Sequence, residues 1–226
     1  MKKHIFKYLI EFLVVVSGII ISLNIEKGKA LDYKNELKNQ SLRRLIKNID
    51  QDISDSKLNK KIHLNGIKCS ERILNNHEFL FDSEKDSLGY YLSVISYSET
   101  VFVDNQEEYL TLRNSGFLEL IDDDELVQLI QEKYSKHSFY KTIENYIGKQ
   151  NNIITNLVLE KTSYISRGTN NFFGTYGTYE SKQKLSNYEL NTIRRKKVFS
   201  EFYIAQINTG LKSDSLLISK IKKEIE

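Results

Sequence analysis

The 226-residue chain contains no proline, one cysteine and ten glycines. Proline breaks helix interiors and starts tight turns, so its absence suits long helices joined by few tight loops. A single cysteine, Cys69, excludes a disulfide framework and a cysteine-built zinc site within one chain. It falls in a helical pattern, where a small buried residue is the ordinary reading and an intermolecular disulfide the alternative. The four histidines, His4, His63, His77 and His137, show neither HxH nor HxxxH spacing. There is no P-loop, no dinucleotide glycine fingerprint and no nucleophile elbow. Carboxylate pairs such as Asp52/Asp55 and Glu107/Glu108 lie on highly charged helical stretches, where solvated faces are expected rather than an acid and a base. These absences point away from an enzyme, a cofactor and a metal.

Charge of either sign is missing from Phe12 to Ile25, within the apolar stretch Ile5–Ile25. At 1.5 Å per residue the longer stretch reaches roughly 31 Å, about one hydrocarbon core. We read residues 1–30 as a tail and transmembrane anchor, and residues 31–226 as one soluble helical domain. A cleaved signal would share the basic start and the small residues of Gly28-Lys29-Ala30. Glu26, Lys27 and Lys29 crowd that site, so a retained anchor is expected. Five lysines and two glutamates fall within residues 1–30, which turns 33 basic and 30 acidic residues into 28 of each from Leu31 onward. A neutral domain gives no ground for nucleic-acid binding. Lysines flank the span on both sides, so orientation rests on the short tail staying inside, with the domain outside the cytoplasm.

The helical period then runs through most of the chain. Leu42, Leu45, Ile46, Ile49 and Ile53 form one stripe, with Lys47, Asp50, Asp52, Asp55, Lys60 and Lys61 opposite. On that placement Asp52→Ala is expected to be mild and Ile46→Asp severe. The stripe predicts a helix over about 31–74, with Gly66 as a candidate bend, then a polar turn to Asp86. Ser87–Tyr97 reads as a short helix and Thr100–Val103 as extended. Asp104 and Glu107 have capping-box spacing for another short helix, ended by Ser115-Gly116. Asp122-Asp123-Asp124-Glu125 lacks the glycine of a calcium loop and suits a helix start. A second long helix is expected to about Tyr164. Ser186-Asn187-Tyr188-Glu189 is a capping box opening the third. These predict an all-α fold: the anchor, then an antiparallel bundle of three long helices with short connecting helices.

Three stretches together resemble a family of uncharacterised bacterial single-pass membrane proteins, mainly from Bacteroidota. The first is the anchor from Tyr8 to Ile25, where Glu11, Gly18 and Asn24 match and Ile10 stands in place of a glycine. The second runs from Tyr109-Leu110 through Asn114-Ser115-Gly116-Phe117-Leu118 to Leu120-Ile121, followed by Leu126, Ile130 and Tyr134. The third is the closing amphipathic helix. The resemblance implies a helical, membrane-anchored protein and no particular activity.

Several residues stand out as candidates. Glu11 is an acid inside the apolar segment, a functional candidate by default; the other reading is an interfacial pair with Lys7. Gly18 and Ser22 share a helix face that permits close contact, which points to a homo-oligomer or a membrane-protein partner. Arg194-Arg195-Lys196-Lys197 could meet phosphate or lipid headgroups, but wraps most of a turn, so salt bridges are expected. Phe172, Phe173, Tyr176 and Tyr179 sit in the glycine-richest segment. They would lie at the membrane interface, plug the bundle, or form a distal partner site, depending on which way the short helices run. The expectation is a membrane-anchored binding or structural module; the alternative is a single-span component of an energy-coupling or channel complex using Glu11.

Overall fold

The computed structural model describes residues 2–103, 105–163 and 177–226. It is all-helical apart from one isolated antiparallel bridge, Thr162 with Tyr179. Helix α1 runs over Lys2–Ser83, α2 over Lys85–Tyr97, α3 over Glu107–Asn114, α4 over Asp124–Ser135, α5 over His137–Lys161 and α6 over Asn187–Ile225. A short 3-10 turn, Phe117–Leu120, follows α3.

The first helix is longer than its stripe suggests. It runs unbroken from the apolar segment through Gly66 and departs from helical torsions only at Asn76, where φ is −136°. There the Asn76 amide donates to the Arg72 carbonyl at 3.3 Å, an alternative partner that helix interiors usually withhold. Gly66 provides closeness rather than a bend: a Cβ on it would come within 2.5 Å of Ser98. The polar stretch expected as a turn from Asn75 is mostly helix. The expected second long helix is the pair α4 and α5, joined by a tightened turn at Lys136, whose N–H reaches both Glu132 and Lys133 carbonyls at 3.2 Å. Gly116 ends its turn with φ of 70°, the left-handed conformation that glycine adopts without cost. Asp104 lies outside the described residues, and Gln106 takes the N-cap position of α3.

Four columns result, not three. α1 rises; α2, the extended segment 98–103 and α3 descend beside it; α4 and α5 rise; α6 descends. Contacts along the chain order them. Ser41 and Arg44 bond Glu108 at 2.9 and 2.7 Å, so α3 lies beside the early bundle part of α1. Lys38 pairs with Glu224 at 2.6 Å, so α6 ends there too. Lys184 meets Asp82 at 3.1 Å at the other end. Residues 177–179 therefore sit at the tip far from the apolar segment, where the backbone of Gly177 approaches Gly89 too closely for any Cβ. The short helices run back along α1 instead of capping it, which puts Tyr179 at the far tip; residues 164–176 lie outside the described residues.

Two apolar clusters hold the ends. The lower joins Leu42, Leu45 and Ile49 to Leu112, Leu126, Ile130, Leu217 and Ile221. The upper joins Ile73, Leu80, Leu88 and Leu92 to Ile154, Leu157, Tyr179 and Ile193. Below the bundle α1 is exposed. From Ile10 to Ile25 its large apolar side chains, Val16 apart, are between 46% and 67% exposed on every side of the helix. Among the described residues no helix is long and apolar enough to cross a membrane.

Candidate functional site

Between the apolar clusters the bundle has a polar waist, built around segment 98–103. The segment alternates: Ser98, Thr100 and Phe102 point inward, while Glu99, Val101 and Val103 point out. A non-helical segment inside a helical bundle has no ladder partner, so side chains must satisfy it. Glu144 does most of this. It accepts from the Phe102 N–H at 2.9 Å, the Tyr203 hydroxyl at 2.7 Å and the Thr100 hydroxyl at 3.4 Å. Burial pushes its carboxyl up, against those three hydrogen bonds. His63 bridges Thr100 at 2.9 Å and Ser200 at 3.2 Å, edge-on to Tyr203. Burial, with Lys196 nearby, lowers His63 from 6.5 to about 4. Ser200 beside His63 has the outline of a nucleophile and its base. Both are buried on all sides, so no substrate reaches them, and the pair acts as a brace for Thr100.

Above this layer Lys196, 2% exposed, donates to the Ile95 carbonyl at the end of α2 and to Asn151 Oδ1. Asn151 in turn donates to Glu99 at 2.5 Å. Burial lowers the Lys196 amine to about 7, with Glu99 opposing. Below the layer Lys133 is held between Asp52 at 2.8 Å and Asp214 at 3.1 Å. Burial pushes both carboxyls up despite Lys133, as expected where two acids share one ammonium. They line, with Phe102, His137 and Tyr140, a cavity of about 20 Å³, room for one water-sized molecule.

An accessible groove of about 430 Å³ lies between α1 and α2. Leu58, Ile62 and Cys69 of α1 face Tyr90 and Val94 of α2, with Ser98 at the end and Lys61, Asn65 and Lys68 also lining it. Burial raises the Cys69 thiol to about 11, far from a reactive thiolate. Among the described residues no group of three or more His, Cys, Asp or Glu is placed to hold a metal ion.

The residues singled out from sequence are not brought together. Glu11 lies 3.8 Å from Lys7, both exposed. Gly18 has open space where a Cβ would stand, and Ser22 is exposed. Phe172, Phe173 and Tyr176 lie outside the described residues. Tyr179 is no interface residue: its ring is fully buried against Phe81, and its hydroxyl donates to the Gln183 carbonyl at 2.7 Å. Asp52 is not on a solvated face, since its register points it at Lys133. The basic run divides: Lys196 turns inward while Lys197 pairs with Glu201 at 2.7 Å and Glu71 at 3.4 Å. The acids at Asp123 and Glu125 are met by Lys220 instead, both at 2.8 Å. Sequence did carry one unused signal: Lys196, Ser200 and Asp214 continue the stripe of Ile193, Ile207, Leu217 and Ile221. Polar residues in register with an apolar stripe are core groups.

The chain matches no family model, no curated protein and no solved structure.

Proposed function

We propose that this protein is a single-pass membrane protein whose four-column bundle stands off the bilayer and works as a binding or structural module. One observation carries the reading: an apolar helix, exposed from Ile10 to Ile25 apart from Val16, against which no other described helix packs. A helix apolar all round is stable only when buried, and no surface of the bundle reaches it. The charge-free run alone covers about 21 Å. That is short of a hydrocarbon core, and the length of one is reached only by adding Ile5–Glu11, which carries the Lys7–Glu11 pair and would lie near the water interface. That contact favours an interfacial pair over an energy-coupling carboxylate. Glu26 to Glu36 then form an exposed stalk before Lys38 enters the bundle.

The open face at Gly18 and Ser22 supports close approach of a second copy or a membrane partner. The likeness of the anchor to the bacterial single-pass family, and a bundle outside the cytoplasm, belong to the same proposal. An enzyme is disfavoured because the His63–Ser200 pair and Lys196 at the waist are buried.

Fractionation tests it. The full chain should stay with membranes through alkaline carbonate, and Val15→Lys/Ile19→Lys should release it. A full chain that is monomeric in buffer without detergent would overturn the reading.

A further inference from the structure

The groove between α1 and α2 differs from the sealed waist in being open, apolar at its base and one-signed in charge. Its floor is Leu58, Ile62, Cys69, Tyr90 and Val94, and Leu58 stays 55% exposed. Lys61, Asn65 and Lys68 fall at i, i+4 and i+7, so they line one edge of α1 over about 10 Å. None of the three makes a hydrogen bond or ion pair among the described residues. No acidic residue lines the groove, and Glu71, three residues beyond Lys68 on α1, is paired with Lys197. A volume of about 430 Å³ lies in the range of small-ligand sites. We propose that this groove binds a single-chain amphiphile with an anionic head, its aliphatic body on the Leu58–Ile62–Val94 floor and its head on the Lys61–Asn65–Lys68 edge. The proposal deepens the binding-module reading and rests on it only for the source of the ligand. Leu58 lies 33 residues beyond Ile25, about 50 Å along the helix, out of reach of lipids still in the bilayer. The ligand therefore arrives as a dissolved monomer.

Cys69 reports on the floor, being the only thiol in the chain. The full chain in phosphatidylcholine nanodiscs would be alkylated with N-ethylmaleimide at pH 8.5, and its melting temperature measured in parallel. Decanoate below micelle formation should slow alkylation at least five-fold, saturably, and raise the melting temperature. Decyltrimethylammonium should do neither. Lys61→Glu/Lys68→Glu, at two exposed positions, should keep the circular dichroism spectrum and abolish protection. Equal protection by decanol or by the cationic amphiphile would overturn the proposal. So would a decanoate effect that survives the double reversal, no decanoate effect on either readout, or protection that depends on protein concentration alone, which marks a second copy in the groove. Membrane extraction is a separate readout, so failure of the anchor and failure of the groove are distinguishable.

Discussion

Lys133 shows how far a single buried charge reaches in this protein. It neutralises carboxylates from two different columns, Asp52 on α1 and Asp214 on α6. Removing one partner of a buried ion pair leaves an uncompensated charge, typically at about 3–5 kcal/mol. Lys133→Met should cost that much in urea unfolding at pH 7, and less as the pH is lowered and the two raised carboxyls take up protons. Asp52→Ala should be clearly destabilising in the same assay. His63 makes a second residue-scale prediction. Its folded value, about 4, lies below the ordinary 6.5. The unfolded chain binds the proton first as pH falls, so the contribution is complete above pH 6.5 and is lost on the way down to 4. Between pH 7 and 4.5 this amounts to about 2–3 kcal/mol. His63→Gln should shrink the acid-induced loss of stability by that amount. Glu144, raised by burial, acts in the opposite sense in both proteins, so the difference between them isolates His63. An unchanged pH dependence would show that His63 titrates alike folded and unfolded.

At the scale of elements, helix starts are marked by local chemistry and the break between α2 and α3 by distant chemistry. Ser186 accepts from the Glu189 N–H at 3.3 Å, and Glu189 accepts from the Ser186 N–H at 2.7 Å. Asp123 caps α4 through the Leu126 N–H at 3.1 Å. Ser186→Ala should cost about 1 kcal/mol by thermal melting, with the fraying confined to the first turn of α6 by hydrogen exchange. Ser98 still caps α2 locally, its N–H donating to the Ile95 carbonyl at 3.1 Å and its hydroxyl to the Val94 carbonyl at 2.6 Å, but the segment that follows has no such local cause. It stays extended because Glu144, His63 and Lys196, from three other helices, take up its polar groups and the carbonyl that precedes it.

For the whole molecule, the direction of the columns is the decisive property. The four-column order places Lys38 beside Glu224 and Lys184 beside Asp82. Zero-length carbodiimide cross-linking should therefore yield these two links. A link from Lys184 to Glu36 would reverse the assignment and return the 164–185 region to the anchored end. Length follows from the same order. α1 alone has 82 residues, about 120 Å if straight, of which the bundle covers roughly the outer half. The molecule is thus a rod carrying its accessible groove far from its apolar end.

Helical class, the Ser186–Glu189 capping box, the Gly116 terminus and the apolar segment were legible from residue type and spacing, because each depends on neighbours within about one turn. The stripe of Leu42, Leu45 and Ile49 likewise marks its own inward face. The sites were hardly legible. Asp52 and Lys196 look solvated in sequence, since charged residues usually are, and only partners more than forty residues away draw them inside. Tyr179 shares its local composition with the loop before it, yet the closeness of Gly89 to Gly177 seats it in the core. The sequence by itself determined where helices form and which residues are apolar on them. Tertiary structure decided that the short helices run back, that a non-helical segment interrupts the second column, and that polar groups from four columns meet around it. The physical reason is that periodicity is a local property, whereas the partner of a buried charge and the direction of a returning chain are set by contacts distant in sequence.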